Sequence, residues 1–266
     1  MDEYLSKISF NKRGINKPET ITLKDIDGFI KLQRVKGKDV STCNNYLAGI
    51  KIRLRRNLVL WKQVVDYRRI ITAREPKKKI EALTEQETER LVNYFKTVKA
   101  KNKTEELIKT RNLVIIYILL YSGLRVNELS NLKISDVKQE LQIIGKGWKR
   151  RVVYLQDEDL KLIDLYLYMR KDKSPYLLVS HSSNYESKKL SNVSIENIIR
   201  EAWKKVGVKV FPHKLRHTFA TNLLRNGAKL IHIQQLLGHS SITTTQGYLS
   251  VLNSELQDTQ MLVKRF

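Results

Sequence analysis

The sequence predicts a mainly α-helical fold with one small antiparallel β-sheet, divided into two domains. Three observations carry this. Apolar residues recur at helical spacing through most of the chain. One pair of short β-type runs, Leu141 to Ile144 and Arg151 to Leu155, faces across the turn Gly145-Lys-Gly-Trp-Lys-Arg150. A proline beside a basic run, Arg74-Glu-Pro-Lys-Lys-Lys79, interrupts the helical pattern. The 266 residues, 41% of them apolar, suffice for a buried core.

The elements follow in order. Thr22 to Leu32 reads as a helix that Thr22 can cap, and Ser41 to Arg56 as a second one after the Lys36-Gly-Lys-Asp turn. Residues 51–80 hold 11 basic residues against two acids, interleaved with Ile52, Leu54, Leu58, Leu60 and Trp61. This predicts a helix with a buried stripe and a basic outer face: Arg53, Arg55, Arg56, Lys62, Arg68 and Arg69 are candidate contacts to a phosphate backbone. Lys77, Lys78 and Lys79 belong to an extended linker that can lie along the same backbone. The expected division is residues 1–76, a linker over 77–82, and residues 83–266.

In the second domain Thr84 and Glu87 form a capping box at a helix start. The helix from Glu105 to Tyr121 is too apolar in its second half for a surface position, so it is expected at the centre of the core, ended by Gly123. The hairpin follows, with Lys146, Lys149 and Arg150 at its basic tip. From Asp157 the pattern is again largely helical, with stops at Asn226-Gly227 and Gly238.

Charge narrows the function. Fifty lysines and arginines against 27 acids leave a formal net charge of +23. Such an imbalance is self-repelling unless a polyanion meets it, and nucleic acid fits better than an acidic membrane, because no basic amphipathic helix with exposed aromatics is evident. A single cysteine, Cys43, excludes an intrachain disulfide and a cysteine-based zinc site. The longest apolar run, Leu113 to Tyr121, is about half of a membrane span. The start Met1-Asp-Glu-Tyr4 carries no apolar signal region, so a cytoplasmic protein is expected.

Chemistry-bearing residues form an ordered set. Arg125 opens a helix with Glu128 one turn on. Lys146 sits at the hairpin tip. His213 and Arg216 project from one side of a helix that begins at Pro212, with Leu215, Phe219 and Leu223 on the other. Gly238-His239 follows a further helix, and Tyr248 lies nine residues on, with Ser240 and Ser241 as candidate caps before it. Singly these are weak: an arginine can be a structural ion pair, a hairpin lysine merely solvated, a tyrosine merely core. His213 and His217 at i, i+4 mimic a helical metal pair, but no carboxylate or cysteine cluster completes it.

As a set, Arg125, Lys146, His213-x-x-Arg216, Gly238-His239 and Tyr248 resemble the active-site signature of the tyrosine recombinase (phage integrase) family, over about residues 20–255. The blocks Leu119-Leu-Tyr-Ser-Gly-Leu-Arg125, His213-Lys-Leu-Arg-His-Thr-Phe-Ala-Thr221 and Leu236-Leu-Gly-His-Ser-Ser-Ile-Thr-Thr-Thr-Gln-Gly-Tyr248 carry it. The resemblance implies a helical core-binding domain and a catalytic domain clamping double-stranded DNA. It implies Tyr248 as nucleophile forming a 3′-phosphotyrosyl link, and Arg125 and Arg216 gripping the non-bridging oxygens. Lys146 would then supply a proton to the leaving 5′-oxygen, His213 and His239 would handle protons or hold phosphate, and Glu128 would orient an arginine. Arginines meet the charge, so neither a metal ion nor another cofactor is expected.

The chain is most like simple Xer-type recombinases. That implies a short inverted-repeat core site and a homo-tetramer on two duplexes, or a hetero-tetramer with a paralogous recombinase, with an accessory activator as a further partner. Dimer resolution and element integration or excision both remain open. A type IB topoisomerase-like relaxation and a catalytically silent architectural DNA-binding protein are the alternatives. The amphipathic tail, Val251 to Phe266, is expected to pack on its own domain or on a neighbouring subunit.

Overall fold

A computed structural model of the protein describes residues 22–56, 72–73, 81–145, 150–181, 187–239 and 245–249. The chain divides into two compact units, Met1–Lys78 and Lys79–Phe266.

In the first unit, helix α1 (Leu23–Val35) begins at Thr22. The Thr22 hydroxyl accepts from the Asp25 amide at 3.3 Å and the Asp25 carboxylate accepts from the Thr22 amide at 2.8 Å, so two otherwise orphaned donors are satisfied by side chains three residues apart. Helix α2 (Val40–Arg56) is capped in the same spirit by Asp39, whose carboxylate accepts from the Thr42 amide at 2.7 Å. Ile26 and Phe29 of α1 meet Leu47 and Ile50 of α2, and Phe29 stands edge-on to Tyr46 with centroids 5.8 Å apart. Cys43 is buried beside them. Asn44 both donates to the Ala73 carbonyl (2.9 Å) and accepts from its amide (3.1 Å), which ties residue 73 to α2. The side chains of Arg53, Arg55 and Arg56, and all of Lys62, Arg68, Arg69, Lys77, Lys78 and Lys79, lie outside the described residues.

The second unit is built around helix α4 (Lys103–Tyr121), entered through α3 (Glu85–Thr97). The capping box of α3 is the one read from the sequence: Thr84 accepts from the Glu87 amide and Glu87 from the Thr84 amide. Val114, Ile115, Ile116, Ile118, Leu119 and Leu120 are all buried, because α4 is enclosed by α3, by α6 (Asp157–Met169), by α7 (Asn192–Val206) and by α8 (Pro212–Arg225). A helix packed on so many sides needs no polar face there, which accounts for its apolar run.

The short helix α5 (Val126–Ser130) follows α4, and the strands β1 (Glu140–Ile144) and β2 (Arg150–Tyr154) pair antiparallel, Leu141 opposite Val153 and Ile143 opposite Arg151. Side chains alternate across the hairpin: Leu141, Ile143 and Val153 point inward, and so does Arg151. The hairpin tip, with Lys146 and Lys149, lies outside the described residues, while Arg150 is exposed at the start of β2.

The largely helical pattern expected beyond Asp157 is interrupted. Residues 170–191 are not helical where described. Leu177, Leu178 and Val179 are fully buried in non-helical backbone, where Tyr176 bridges to Lys133 and Val179 to Lys189. The Arg170 guanidinium donates to the Tyr176 and Leu177 carbonyls and to Asp172, supplying partners that a helix would have provided internally. Helix α9 (Leu230–Leu237) then packs on α8 and β2 and ends at Gly238 in the left-handed conformation (φ +61°).

Candidate active site

Four polar side chains from three parts of the fold converge where α5, β2, α8 and the C-terminal end of α9 meet. Arg125 is the residue before α5, and Glu128 stands at the third position of that helix. The Glu128 carboxylate accepts four hydrogen bonds: from the Arg125 amide (2.7 Å), Arg125 Nη1 (2.9 Å), Arg151 Nη1 (2.8 Å) and Arg151 Nη2 (2.6 Å). Burial acts to raise its pKa, but these donors outweigh it and hold the carboxyl below the usual range. Arg151 is 6% exposed and Arg125 36%, so one arginine is enclosed and the other faces outward.

Arg216 is buried in α8. Its guanidinium donates from Nη1 to the Gly123 carbonyl and from Nη2 to the Leu237 carbonyl. Arg151 Nε donates to the Leu236 carbonyl at 2.8 Å. The last turn of α9, whose carbonyls have no partner within the helix and carry the negative end of its dipole, is therefore gripped by two guanidinium groups. Gly123 and Gly238 make the approach possible. Gly123 is in the left-handed region (φ +65°), and a Cβ there would lie 2.4 Å from the Phe219 ring; at Gly238 a Cβ would lie 2.9 Å from Arg151 Cδ.

Among the described residues Arg216 has no carboxylate within ion-pair reach. Burial first, then the charges of Arg125 and Arg151, lower its pKa to about 9, so it stays protonated at neutral pH. Arg125 and Arg151 share the one carboxylate of Glu128 and Arg216 adds a third guanidinium, which leaves an uncompensated positive centre suited to an anion. A cleft of about 530 Å³ opens onto it, lined among others by Arg125, Asn127, Arg200, Phe211, His213 and Arg216.

Tyr248 lies against this centre from the segment 245–249. Its side chain is buried at 1% exposure among Ala220, Ile233 and Leu237. The hydroxyl is 2.9 Å from His217 Nδ1. Burial raises the phenol pKa, with Arg216 acting in the opposite direction. His239, just past α9, is 3.0 Å through Nδ1 from the Thr245 hydroxyl, and Gln234 donates to its carbonyl, so the segment carrying Tyr248 is tied to the end of α9. Burial, then the surrounding cations, hold His239 down at about 4, so its imidazole is neutral at pH 7. His213 is exposed on the first turn of α8. Among the described residues no cluster of three histidines, cysteines or acids could hold a metal ion.

The structure thus gathers Arg125, Glu128, His213, Arg216, His239 and Tyr248; Lys146 is outside the described residues. Two participants had no assignment at this centre from the sequence. Arg151 was read only as a strand residue, although a charged side chain at an inward-facing strand position signals a buried partner. His217 was considered only as half of a metal pair.

Residues 81–255 match the profile of the phage integrase family. Tyrosine recombinase XerA of Pyrococcus horikoshii is 39% identical over 188 residues, covering 69% of this chain and 61% of that protein. Its counterpart from Pyrococcus furiosus is 34% identical over 242 residues, 89% of this chain and 79% of that protein. The matched stretch thus spans about three fifths of the first relative and four fifths of the second. A crystal structure of a XerA recombinase, 30% identical, covers 99% of this chain and 89% of that one with a TM-score of 0.56.

Proposed function

This chain belongs to the phage integrase family of tyrosine recombinases, and from that premise we propose that it cleaves and rejoins DNA at a specific site through a covalent link between Tyr248 and a 3′-phosphate. The observation that carries the reading is the uncompensated positive centre of Arg125, Arg151 and Arg216 beside a buried tyrosine. The Tyr248 oxygen attacks phosphorus in line and the P–O5′ bond breaks. Arg125 and Arg216 donate to the non-bridging oxygens, where charge develops; their planar forks match that geometry better than lysine. Glu128 and Arg151 orient Arg125. Lys146 at the hairpin tip gives a proton to the leaving 5′-oxygen, and His213 and His239 hold the phosphate. The link conserves the energy of the broken ester, so the 5′-hydroxyl of another strand can reverse the step.

Beyond the chemistry, the proposed partner is double-stranded DNA with a short inverted-repeat core site, held by four protomers on two duplexes. Arg53, Arg55, Arg56, Lys62, Arg68, Arg69, Lys77 and Lys78 of the first unit, Lys79 at the start of the second, and Lys149 and Arg150 of the hairpin are the proposed contacts to the backbone. Homology to Xer proteins supports resolution of replicon dimers, and movement of an element uses the same steps.

The test is covalent trapping. The protein is mixed with fragmented host and neighbouring mobile-element DNA in EDTA and quenched in detergent, and the attached DNA is sequenced. Adducts at one short inverted repeat, absent with Tyr248→Phe, are expected. Adducts without sequence preference would replace site-specific exchange by topoisomerase-like relaxation, and adducts with Tyr248→Phe would remove the nucleophile assignment.

A further inference from the structure

We propose that His217 takes the phenolic proton of Tyr248 as its oxygen attacks phosphorus, a role that rests on the assignment of Tyr248 as nucleophile. The Tyr248 side chain packs among apolar residues, and burial raises the phenol pKa, so the neutral phenol needs a base within reach. His217 Nδ1 lies 2.9 Å from that oxygen, inside the range for direct proton transfer. The other imidazoles of the centre are otherwise placed. His239 spends its Nδ1 on the Thr245 hydroxyl at 3.0 Å, and the His213 ring is 6.5 Å from that of His217 on the exposed first turn of α8.

The groups facing His217 favour its basic form. Burial first, then His213 and Arg216 from its own helix, lower its pKa below the ordinary value, so the imidazole is neutral at pH 7; from the other side it meets Tyr248, with His239 nearby. In the forward step the Tyr248 O–P bond forms, the P–O5′ bond breaks, and the phenolic proton moves to Nδ1, giving an imidazolium. The 5′-oxygen takes its proton from elsewhere, Lys146 in the mechanism above. In rejoining, the P–O bond to Tyr248 breaks and Nδ1 returns the proton. The placement is also economical, because His217 is the neighbour of Arg216: one turn of α8 presents both the phosphate ligand and the base.

The role requires that Nδ1 of the resting enzyme be unprotonated, with the ring proton on Nε2. Nitrogen-15 NMR of the full chain at pH 7, assigned by the signal lost in His217→Asn, is expected to show that tautomer. An Nδ1-protonated ring or an imidazolium would overturn the proposal without reference to DNA. Kinetics form the second test. Single-turnover cleavage is followed on the duplex recovered by trapping, with bridging sulfur in place of the 5′-oxygen, a leaving group that needs no proton. Lys146→Ala should recover on this substrate. His217→Asn, which keeps an acceptor near the Nδ1 position but no basicity, should remain about 10²–10⁴-fold slower than wild type at pH 7, the gap closing as pH rises. Cleavage at the wild-type rate, or a deficit equal at every pH, would overturn the proton-transfer role. Adducts with Tyr248→Phe would instead remove the nucleophile itself, so the two failures are distinguishable.

Discussion

At the scale of single residues, the two arginines proposed to bind phosphate differ in kind. Among the described residues the Arg125 side chain pairs with Glu128, and it is about one third exposed, so on the proposed mechanism its loss removes a phosphate ligand with little else. Arg125→Ala should therefore slow cleavage about 10²–10³-fold, about 3–4 kcal/mol of transition-state stabilisation, in single-turnover assays, with the melting temperature almost unchanged. Gly123 illustrates the opposite case. Its positive φ and the Phe219 ring 2.4 Å from a would-be Cβ leave no room for a side chain. Gly123→Ala should cost about 1–3 kcal/mol in thermal melts and displace the carbonyl that Arg216 uses.

Legibility also divides at this scale. Thr84 with Glu87 was readable because a capping box closes within three residues, and Arg125 with Glu128 because the spacing is again local. Arg151 was not, since Glu128 is 23 residues away and Leu236 is 85. The same holds for His217 and Tyr248, 31 residues apart. Contacts between elements follow from packing, which no local pattern encodes. A family signature names residues that recur across relatives, and a supporting contact is outside its scope.

At the scale of elements, the Glu128–Arg151 pair ties α5 to β2 with both partners largely enclosed. Glu128 has a folded pKa below its ordinary value, so its contribution to stability is complete above the ordinary carboxylate pKa and is lost as pH falls through the depressed one. Glu128→Gln should lower stability by about 3–5 kcal/mol at pH 7, by leaving Arg151 buried without its counter-charge. Below the depressed pKa the wild type should approach the variant, which thermal melts from pH 7 down to pH 3 would reveal as a shrinking gap. The interrupted helical pattern over residues 170–191 belongs to this scale too. Leu177, Leu178 and Val179 look the same in a buried strand or a buried helix, and the choice was made by Arg170 taking over the backbone carbonyls.

At the scale of the whole molecule, the +23 charge would make the proposed binding to DNA a matter of counterion release. If the chain neutralises six to ten phosphates, affinity should fall roughly 10³–10⁵-fold between 50 and 200 mM salt, measured by fluorescence anisotropy with a labelled duplex. Affinity insensitive to salt would refute that role of the charge. A mainly helical chain in two units, with a two-stranded antiparallel sheet among the described residues, was legible from helical spacing, one alternating pair of runs and one proline-bearing basic stretch, because each is a pattern of composition over many residues.

Arg216 joins these scales. Of its five N–H groups, among the described residues one donates to the Gly123 carbonyl and one to the Leu237 carbonyl, and the proposed mechanism assigns the others to a phosphate. The guanidinium is thus aimed before any ligand arrives, and the same side chain clasps the end of α4 to the end of α9. Lysine, with a single compact ammonium, cannot span both carbonyls and an anion. On the proposed mechanism, selection for folding and selection for chemistry act on one residue. If the proposed activity holds, a descendant that abandoned strand cleavage but kept the fold would be free to vary at Arg125 and would keep Arg216, so the persistence of that arginine in a relative would be no sign that the relative still cuts.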